Sequence, residues 1–214
     1  VVIQFGSILA VIFLYFHKLN PFSPKKTALE KKETLSLWGK VIVGVIPAGI
    51  VGLLFNDQIH DLFYNYIDVA IALIVYGILF IVLENRNKNR TPKIQTLKDL
   101  TYGAAIMIGM FQILALIPGT SRSGSTILGA ILLGCSRYVA AEYSFFLAVP
   151  IMLGASGLEM LKFGFVLTGL EWGILLVGTI VAFLVSVLAI KFLMSYIKKH
   201  DFKAFGYYRI ILGI

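Results

Sequence analysis

Apolar runs recur along this chain at about 1–16, 38–55, 67–83, 100–117, 127–134, 138–161 and 172–194, and a last one opens at 210. A helix that crosses the hydrocarbon core of a bilayer needs roughly 17–25 such residues, and most of these runs approach or meet that length. The run at 127–134 is too short to cross alone. Composition removes the soluble alternative: 58% of residues are hydrophobic and 14% charged, where a soluble domain carries roughly a quarter charged. The same figures exclude a disordered chain. The expectation is an all-α, polytopic membrane helical bundle, organised as a single integral membrane domain over 1–214.

The charged residues fall between the runs. Lys18, Lys25, Lys26, Lys31, Lys32 and Lys40 mark one connection, and Arg86, Lys88, Arg90, Lys93 and Lys98 another. Between them, 56–68 holds Asp57, Asp61 and Asp68 without Lys or Arg, and the segment after 190 is basic again. By the positive-inside rule the basic connections are cytoplasmic and 56–68 is external. The net charge of +8 is thus a topology signal rather than a nucleic-acid footprint, and no nucleic-acid partner is expected. Cys135 is the single cysteine, which excludes an internal disulfide and a Cys-based metal site.

Alternation of sides makes 100–134 leave and return to the cytoplasmic side. Because 127–134 is too short to span, the segment reads as a re-entrant helix–loop–helix. Non-helical backbone at membrane depth survives only when buried in protein or lining a wet cavity, so the loop Pro118-Gly119-Thr120-Ser121-Arg122-Ser123-Gly124-Ser125-Thr126 is a site candidate. Pro118 ends the incoming helix, and Gly119 permits a tight turn. Thr120 or Ser121 is the expected N-cap of the next helix. The free N–H groups and positive dipole end of that helix suit an anion. Arg122 adds a planar charged fork for phosphate oxygens. Ser121, Ser123, Ser125 and Thr126 add hydroxyls, and Gly124 permits close approach. An arginine at membrane depth costs about 2.5–3.5 kcal/mol, which an anionic ligand offsets. The structural alternative is that Arg122 pairs with an acid elsewhere. The pattern is not a Walker loop, nor a cysteine phosphatase loop, because Cys135 lies downstream of Arg122.

The stretch Gln112-Ile113-Leu114-Ala115-Leu116-Ile117-Pro118-Gly119-Thr120-Ser121-Arg122-Ser123-Gly124 resembles the second signature of the undecaprenyl-diphosphatase (bacitracin-resistance) family. Ser136-Arg137, Glu142-Tyr143-Ser144-Phe145 and Ala148-Val149-Pro150 resemble its next helix, and Val1–Val11 the segment after its first signature. The resemblance implies hydrolysis of undecaprenyl diphosphate to undecaprenyl phosphate and inorganic phosphate, recycling the cell-wall lipid carrier in a bacterial plasma membrane. It implies an inverted-repeat architecture, a site open to the external side, and a divalent cation, Mg or Ca. Arg122, with Ser121 and Ser123, would act on the diphosphate. Gly119, Thr120, Gly124, Ser125, Thr126 and Gln112 would contact it, supported by Pro118 and Glu142. The expected partners are a polyprenyl diphosphate and membrane lipids, with a homodimer left open. The family's first signature, a carboxylate pair followed by Ser and His, has no match here. On that reading the chain is truncated at both ends, the first re-entrant pair and the metal ligands are missing, and the 214 residues alone are inactive. The alternative function is transport of an anionic polyprenyl phosphate lipid, since broken helices whose half-helix N-termini face an anion also build transporter sites.

Other candidates carry weaker chemistry. Glu142 is either an intramembrane functional acid or a carboxylate favoured near a helix N-terminus at the interface, with Arg122 or Arg137 as an ion-pair partner. His17, His60 and His200 lie at span ends, where solvated histidines are expected. Glu159 and Lys162 form an expected i,i+3 pair. Trp38, Tyr64, Tyr66, Trp172, Tyr207 and Tyr208 fit an aromatic belt. Gly103, Gly109, Gly129, Gly134, Gly154 and Gly157 are expected to let helices approach closely.

Overall fold

The computed structural model describes residues 2–88, 90–163 and 168–214, leaving aside the side chains of Val2, Asn56, Asp57, His60, Lys162 and Phe163. The helices run α1 Phe5–Leu14, α2 Phe16–Leu19, α3 Ala28–Phe63, α4 Tyr66–Asn87, α5 Tyr102–Ile113, α6 Arg122–Leu132, α7 Arg137–Phe163, α8 Gly169–Tyr196 and α9 Lys203–Gly213. A 3₁₀ turn, Leu114–Leu116, extends α5. No strand is present among the described residues; a lone bridge joins Ile94 and Cys135. Four helical stretches are long and apolar enough to cross a bilayer: Ala28–Phe55, Tyr66–Asn87, Arg137–Leu161 and Gly169–Tyr196. The chain is therefore an all-α, multi-pass membrane protein.

Two expectations from the apolar runs need correction. The segments 18–40 and 56–68 are not simple connections, because α3 begins at Ala28 and continues to Phe63. Its start is fixed by a reciprocal cap. The Thr27 N–H donates to Glu30 Oε2 at 2.7 Å, and the Glu30 N–H donates back to Thr27 Oγ1 at 3.3 Å. That pair satisfies two otherwise orphaned groups, and it lies in a lysine-rich stretch whose charge conceals the helix. The run at 1–16 also breaks, at Tyr15, between α1 and α2. Thr168 and Glu171 repeat the reciprocal cap at the start of α8.

Two compact units can be distinguished. One contains the residues up to Trp38 together with Phe145–Ser195. There α1 packs on α8: a Cβ at Gly6 would run into the Thr179 carbonyl, Ser186 Oγ donates to Ser7 Oγ at 2.8 Å, and Phe13 meets Phe183 edge-on at 5.8 Å. Tyr15 packs edge-on against Phe146 at 5.2 Å, and the Trp38 indole N–H donates to the Leu19 carbonyl at 2.7 Å. Much of α8 remains apolar and exposed, as at Leu176, Val181, Leu184 and Leu188, a surface suited to lipid tails rather than water.

The other unit contains Gly39–Ser144 and Tyr196–Ile214. Its α4 and α9 cross at two glycines. A Cβ at Gly77 would lie 2.7 Å from the Gly206 carbonyl oxygen, and one at Gly206 would lie 2.8 Å from that of Gly77. A third glycine, Gly213, meets the Ala70 carbonyl in the same way at 2.8 Å. Small residues at such a crossing let two backbones approach to van der Waals contact. Gly109 makes the same kind of contact with the Gly44 carbonyl, and Gly129 with the Phe111 side chain. Gly103, Gly154 and Gly157 do not, for a Cβ there would meet nothing nearer than 3.9 Å. The close-packing expectation is wrong at those three positions. Gly134 instead supplies a positive φ of 93° where α6 ends. Deeper in this unit the Tyr143 hydroxyl donates to the Lys40 carbonyl at 2.7 Å, and the Lys40 ammonium donates to the carbonyls of Leu97 and Lys98 at 3.2 and 3.3 Å.

Candidate functional site

The loop between α5 and α6 lies within the second unit. The incoming helix tightens to 3₁₀ at Leu114–Leu116, and Ile117 then turns extended before Pro118, as the residue before a proline prefers. Gly119 takes φ +84°, and a Cβ there would sit 2.6 Å from the Val69 carbonyl oxygen of α4. Only glycine meets both demands. The Thr120 N–H donates to the Ile117 carbonyl at 3.1 Å and closes the turn.

Ser121 is the N-cap of α6. Its hydroxyl accepts from the Gly124 N–H at 3.2 Å and lies 3.2 Å from Ser123 Oγ. Capping Gly124 leaves the N–H groups of Arg122 and Ser123 in the first turn without an intrahelical acceptor, at the end where the helix dipole is positive. The helix begins at Arg122, directly after the expected N-cap, and its 11 residues span about 16 Å, about half of the ~30 Å hydrocarbon core.

Arg122 is half-buried. Its Nη1 is shielded from solvent and has no hydrogen-bond partner. No ion pair involves Arg122 among the described residues. The structural alternative, an acid partner for Arg122, is therefore absent there. Arg137 has such a partner, but it is Glu84 rather than Glu142: the Arg137 Nε lies 2.9 Å from Oε1 and 3.0 Å from Oε2, and Nη2 also reaches Oε2. Glu142 is 2% exposed, enclosed by protein in the second turn of α7. Ser125 and Thr126 are fully enclosed. Ser125 Oγ donates to the Tyr76 hydroxyl at 3.4 Å. Thr126 Oγ1 lies 2.7 Å from Ser144 Oγ and 3.1 and 3.2 Å from the carbonyls of Arg122 and Ser123. These two hydroxyls tie the first turns of α6 to α4 and α7. Gln112, in the last turn of α5, is 2% exposed, and neither amide atom has a partner. Leaving such a group unpaired costs about 1–3 kcal/mol.

Arg209 of α9 also reaches this loop. Its Nη2 donates to the Gly119 carbonyl at 2.8 Å, its guanidinium stacks 5.7 Å from the centroid of the Tyr76 ring, and its Nη1 would lie 3.6 Å from a Cβ at Gly124. Its Nε is buried without a partner. The α4–α9 glycine crossing delivers this second guanidinium, because residue 209 lies one turn beyond Gly206. In the sequence it is only one charge beside the aromatic pair Tyr207-Tyr208, and 90 residues separate it from Gly119.

The remaining expectations are placed as follows. His17 belongs to α2, and His200 lies just beyond α8 with Nδ1 3.3 Å from the Tyr196 carbonyl oxygen. Neither belongs to the loop. The side chains of His60, Asp57 and Lys162, and with them the Glu159–Lys162 pair, lie outside the described residues. Burial pushes the Cys135 thiol up to about 12, so it stays protonated at neutral pH and cannot serve as a thiolate nucleophile. Among the described residues, no group of three or more His, Cys, Asp or Glu side chains could hold a metal ion.

The chain is thus a helical membrane protein in which the start of α6, with Arg122, and the Arg209 guanidinium meet at one loop, a donor set suited to an anion. Residues 1–214 match the family described as bacitracin resistance protein BacA, and the chain belongs to that family. Among its relatives is undecaprenyl-diphosphatase 1 of Clostridioides difficile, 65% identical over the whole of this chain and 77% of that protein. The undecaprenyl-diphosphatases of Acetivibrio thermocellus and Enterococcus faecalis are 62% and 60% identical, covering 79% and 78% of their lengths.

Proposed function

We infer that this protein is a polyprenyl-diphosphate phosphatase that hydrolyses undecaprenyl diphosphate to undecaprenyl phosphate and inorganic phosphate, so recycling the cell-wall lipid carrier. Identity of 58–65% over the full chain to proteins named undecaprenyl-diphosphatase supports the activity. One structural observation carries the siting. The Arg122 guanidinium, partly enclosed and with no acid partner among the described residues, stands at the start of α6, where Ser121 caps only the Gly124 N–H. A permanently charged group left so is costly until an anion arrives.

The reaction adds water across the phosphoanhydride. A new bond forms from the water oxygen to the terminal phosphorus, the bridging P–O bond breaks, and the lipid phosphate leaves with that oxygen. One water proton is taken up by base or solvent, and inorganic phosphate is released. Arg122 and the N–H groups of Arg122 and Ser123 neutralise charge on the transferring phosphoryl oxygens, the largest electrostatic contribution in such a step. Ser121 and Ser123 donate to the same oxygens. Gly119, Thr120 and Gly124 let the headgroup approach the backbone. Pro118, Ser125 and Thr126 hold the loop and the first turns of α6, and Gln112 offers its unpaired amide. Arg209 positions the loop through Gly119 and faces the same anion. Glu142 supports α7 behind it. The donors here are hydroxyls, N–H groups and guanidiniums, a set made for an anion. The divalent cation that the resemblance implies finds no ligand set among these residues. The loop would open on the external face of a bacterial plasma membrane, as the family resemblance implies.

The test is phosphate release from undecaprenyl diphosphate by the intact protein in detergent, where no gradient exists. Release that depends on Arg122 is expected. Movement of the lipid across a bilayer without any release would instead make the protein a transporter.

A further inference from the structure

A cavity of about 720 Å³ lies at the end of α6 opposite the loop. Its wall joins the C-terminal end of α4, the C-terminal end of α6 and the first turn of α7. Because α6 has 11 residues, this cavity is about 16 Å from the phosphate loop along that helix, and the two share no lining residue. Five of its lining residues are cationic: Arg137, which pairs with Glu84, and the four others Lys88, Arg90, Lys93 and Lys198. None of the four has an ion-pair partner among the described residues. The acid on the cavity wall, Glu84, is 2% exposed and fully engaged: it holds Arg137 through both oxygens and accepts the Phe202 N–H at 3.1 Å. The field inside is therefore strongly positive.

The backbone that carries Lys93 is held in place. The N–H groups of Lys93 and Ile94 both donate to the Gly134 carbonyl, at 2.9 and 3.0 Å, and the Ser136 N–H returns a bond to the Ile94 carbonyl at 2.8 Å. This pins the strand-like 93–95 segment to the corner between α6 and α7. The Lys198 ammonium lies 5.5 Å from the centroid of the Tyr138 ring. The remaining wall is apolar, at Ile131, Leu132 and Leu133, and Leu132 is 47% exposed. A cationic pocket between spans, with an apolar wall opening outward, matches an amphiphile that has an anionic head and a hydrocarbon tail.

We propose that this cavity is a second phosphate-binding site, separate from the hydrolytic loop, that takes the phosphate-bearing headgroup of an anionic lipid from the leaflet at the basic end of the spans. Lys88, Arg90, Lys93 and Lys198 neutralise the phosphate, and the tail leaves past Leu132. The bound headgroup crosslinks the end of α4 to the α6–α7 corner. Free inorganic phosphate has the same oxyanion chemistry but nothing to place on the apolar wall.

The experiment titrates the intact protein in detergent with dioleoyl phosphatidylglycerol, dioleoyl phosphatidylcholine and inorganic phosphate, reading binding by native mass spectrometry and by melting temperature. The cavity variant is Lys88→Gln/Arg90→Gln/Lys93→Gln. The control, Lys25→Gln/Lys31→Gln/Lys32→Gln, removes the same charge from a different basic segment. Phosphatidylglycerol is expected to bind at least tenfold more tightly than phosphatidylcholine, and the cavity variant alone is expected to lose that preference. Inorganic phosphate binding lost only in the cavity variant, with no preference for phosphatidylglycerol, would overturn the lipid as the source. Equal losses in the control variant, or no loss in either, would overturn the site itself. These side chains are exposed or nearly so, and Lys93→Gln alone serves as a second variant should the triple variant misfold.

Discussion

Replacing Arg209 by Met separates the loop's support from the fold. Arg209 Nη2 donates a charge-assisted hydrogen bond to the Gly119 carbonyl at 2.8 Å, and its guanidinium stacks on Tyr76 at 5.7 Å. A hydrogen bond from a charged group contributes about 1.5–3 kcal/mol, and a half-exposed cation–π contact about 0.5–1 kcal/mol. Methionine keeps the aliphatic bulk and loses both. The loss should fall on loop order rather than on global stability, because α9 is seated by Gly206 and Gly213, which the change leaves intact. About 2 kcal/mol of lost positioning is roughly a 30-fold fall in kcat/KM. The assay is phosphate release from undecaprenyl diphosphate in detergent, alongside a melting curve. Arg209→Lys keeps the charge on an ammonium with three rotatable donors but no planar fork, and should recover part of the loss. A twofold or smaller change in kcat/KM for Arg209→Met would refute the positioning argument. So would a collapse of the melting curve, which would show that the residue serves the fold instead.

Gly119→Ala should cost at least about 1–2 kcal/mol from the left-handed backbone alone. The clash with the Val69 carbonyl adds to this, so activity should fall more than tenfold in the same assay. Glu84→Gln removes the carboxylate that holds Arg137 and accepts the Phe202 N–H; because Arg137 is 38% exposed and stays solvated, the loss is that of hydrogen bonds to a charged group, about 1.5–3 kcal/mol, and a lower melting temperature is expected. Cys135 should resist maleimide at pH 7.5 in the folded protein, because its thiol titrates near 12. The folded-state value is raised, so the thiolate fraction grows only as pH climbs toward that value, and labelling at neutral pH should appear only on unfolding.

The loop was legible in the sequence because its chemistry is local. Proline stops a helix, glycine turns the chain, and a serine three residues before Gly124 caps the next helix; each rule acts within a few residues. The start of the short α6 followed from the same stretch, where Thr120 or Ser121 is the expected N-cap and Ser121 fills that position. Arg209 was not legible, since its contact depends on a tertiary crossing that pairs Gly77 with Gly206. Nor was the choice of Glu84 over Glu142 as the partner of Arg137. Both acids lie near apolar spans, and only packing decides which one meets the guanidinium. The length of α3 was hidden for the opposite reason: its cap was readable as Thr27-x-x-Glu30, but lysines around it resemble a solvated connection.

The central claim is that Arg122 exists to grip the diphosphate. The most direct measurement is the affinity of the intact protein for a non-hydrolysable analogue of undecaprenyl diphosphate, compared between the native protein and Arg122→Gln at matched thermal stability. Removing one such donor should weaken binding and lower turnover by about 100-fold or more. Unchanged affinity together with unchanged turnover would contradict the account.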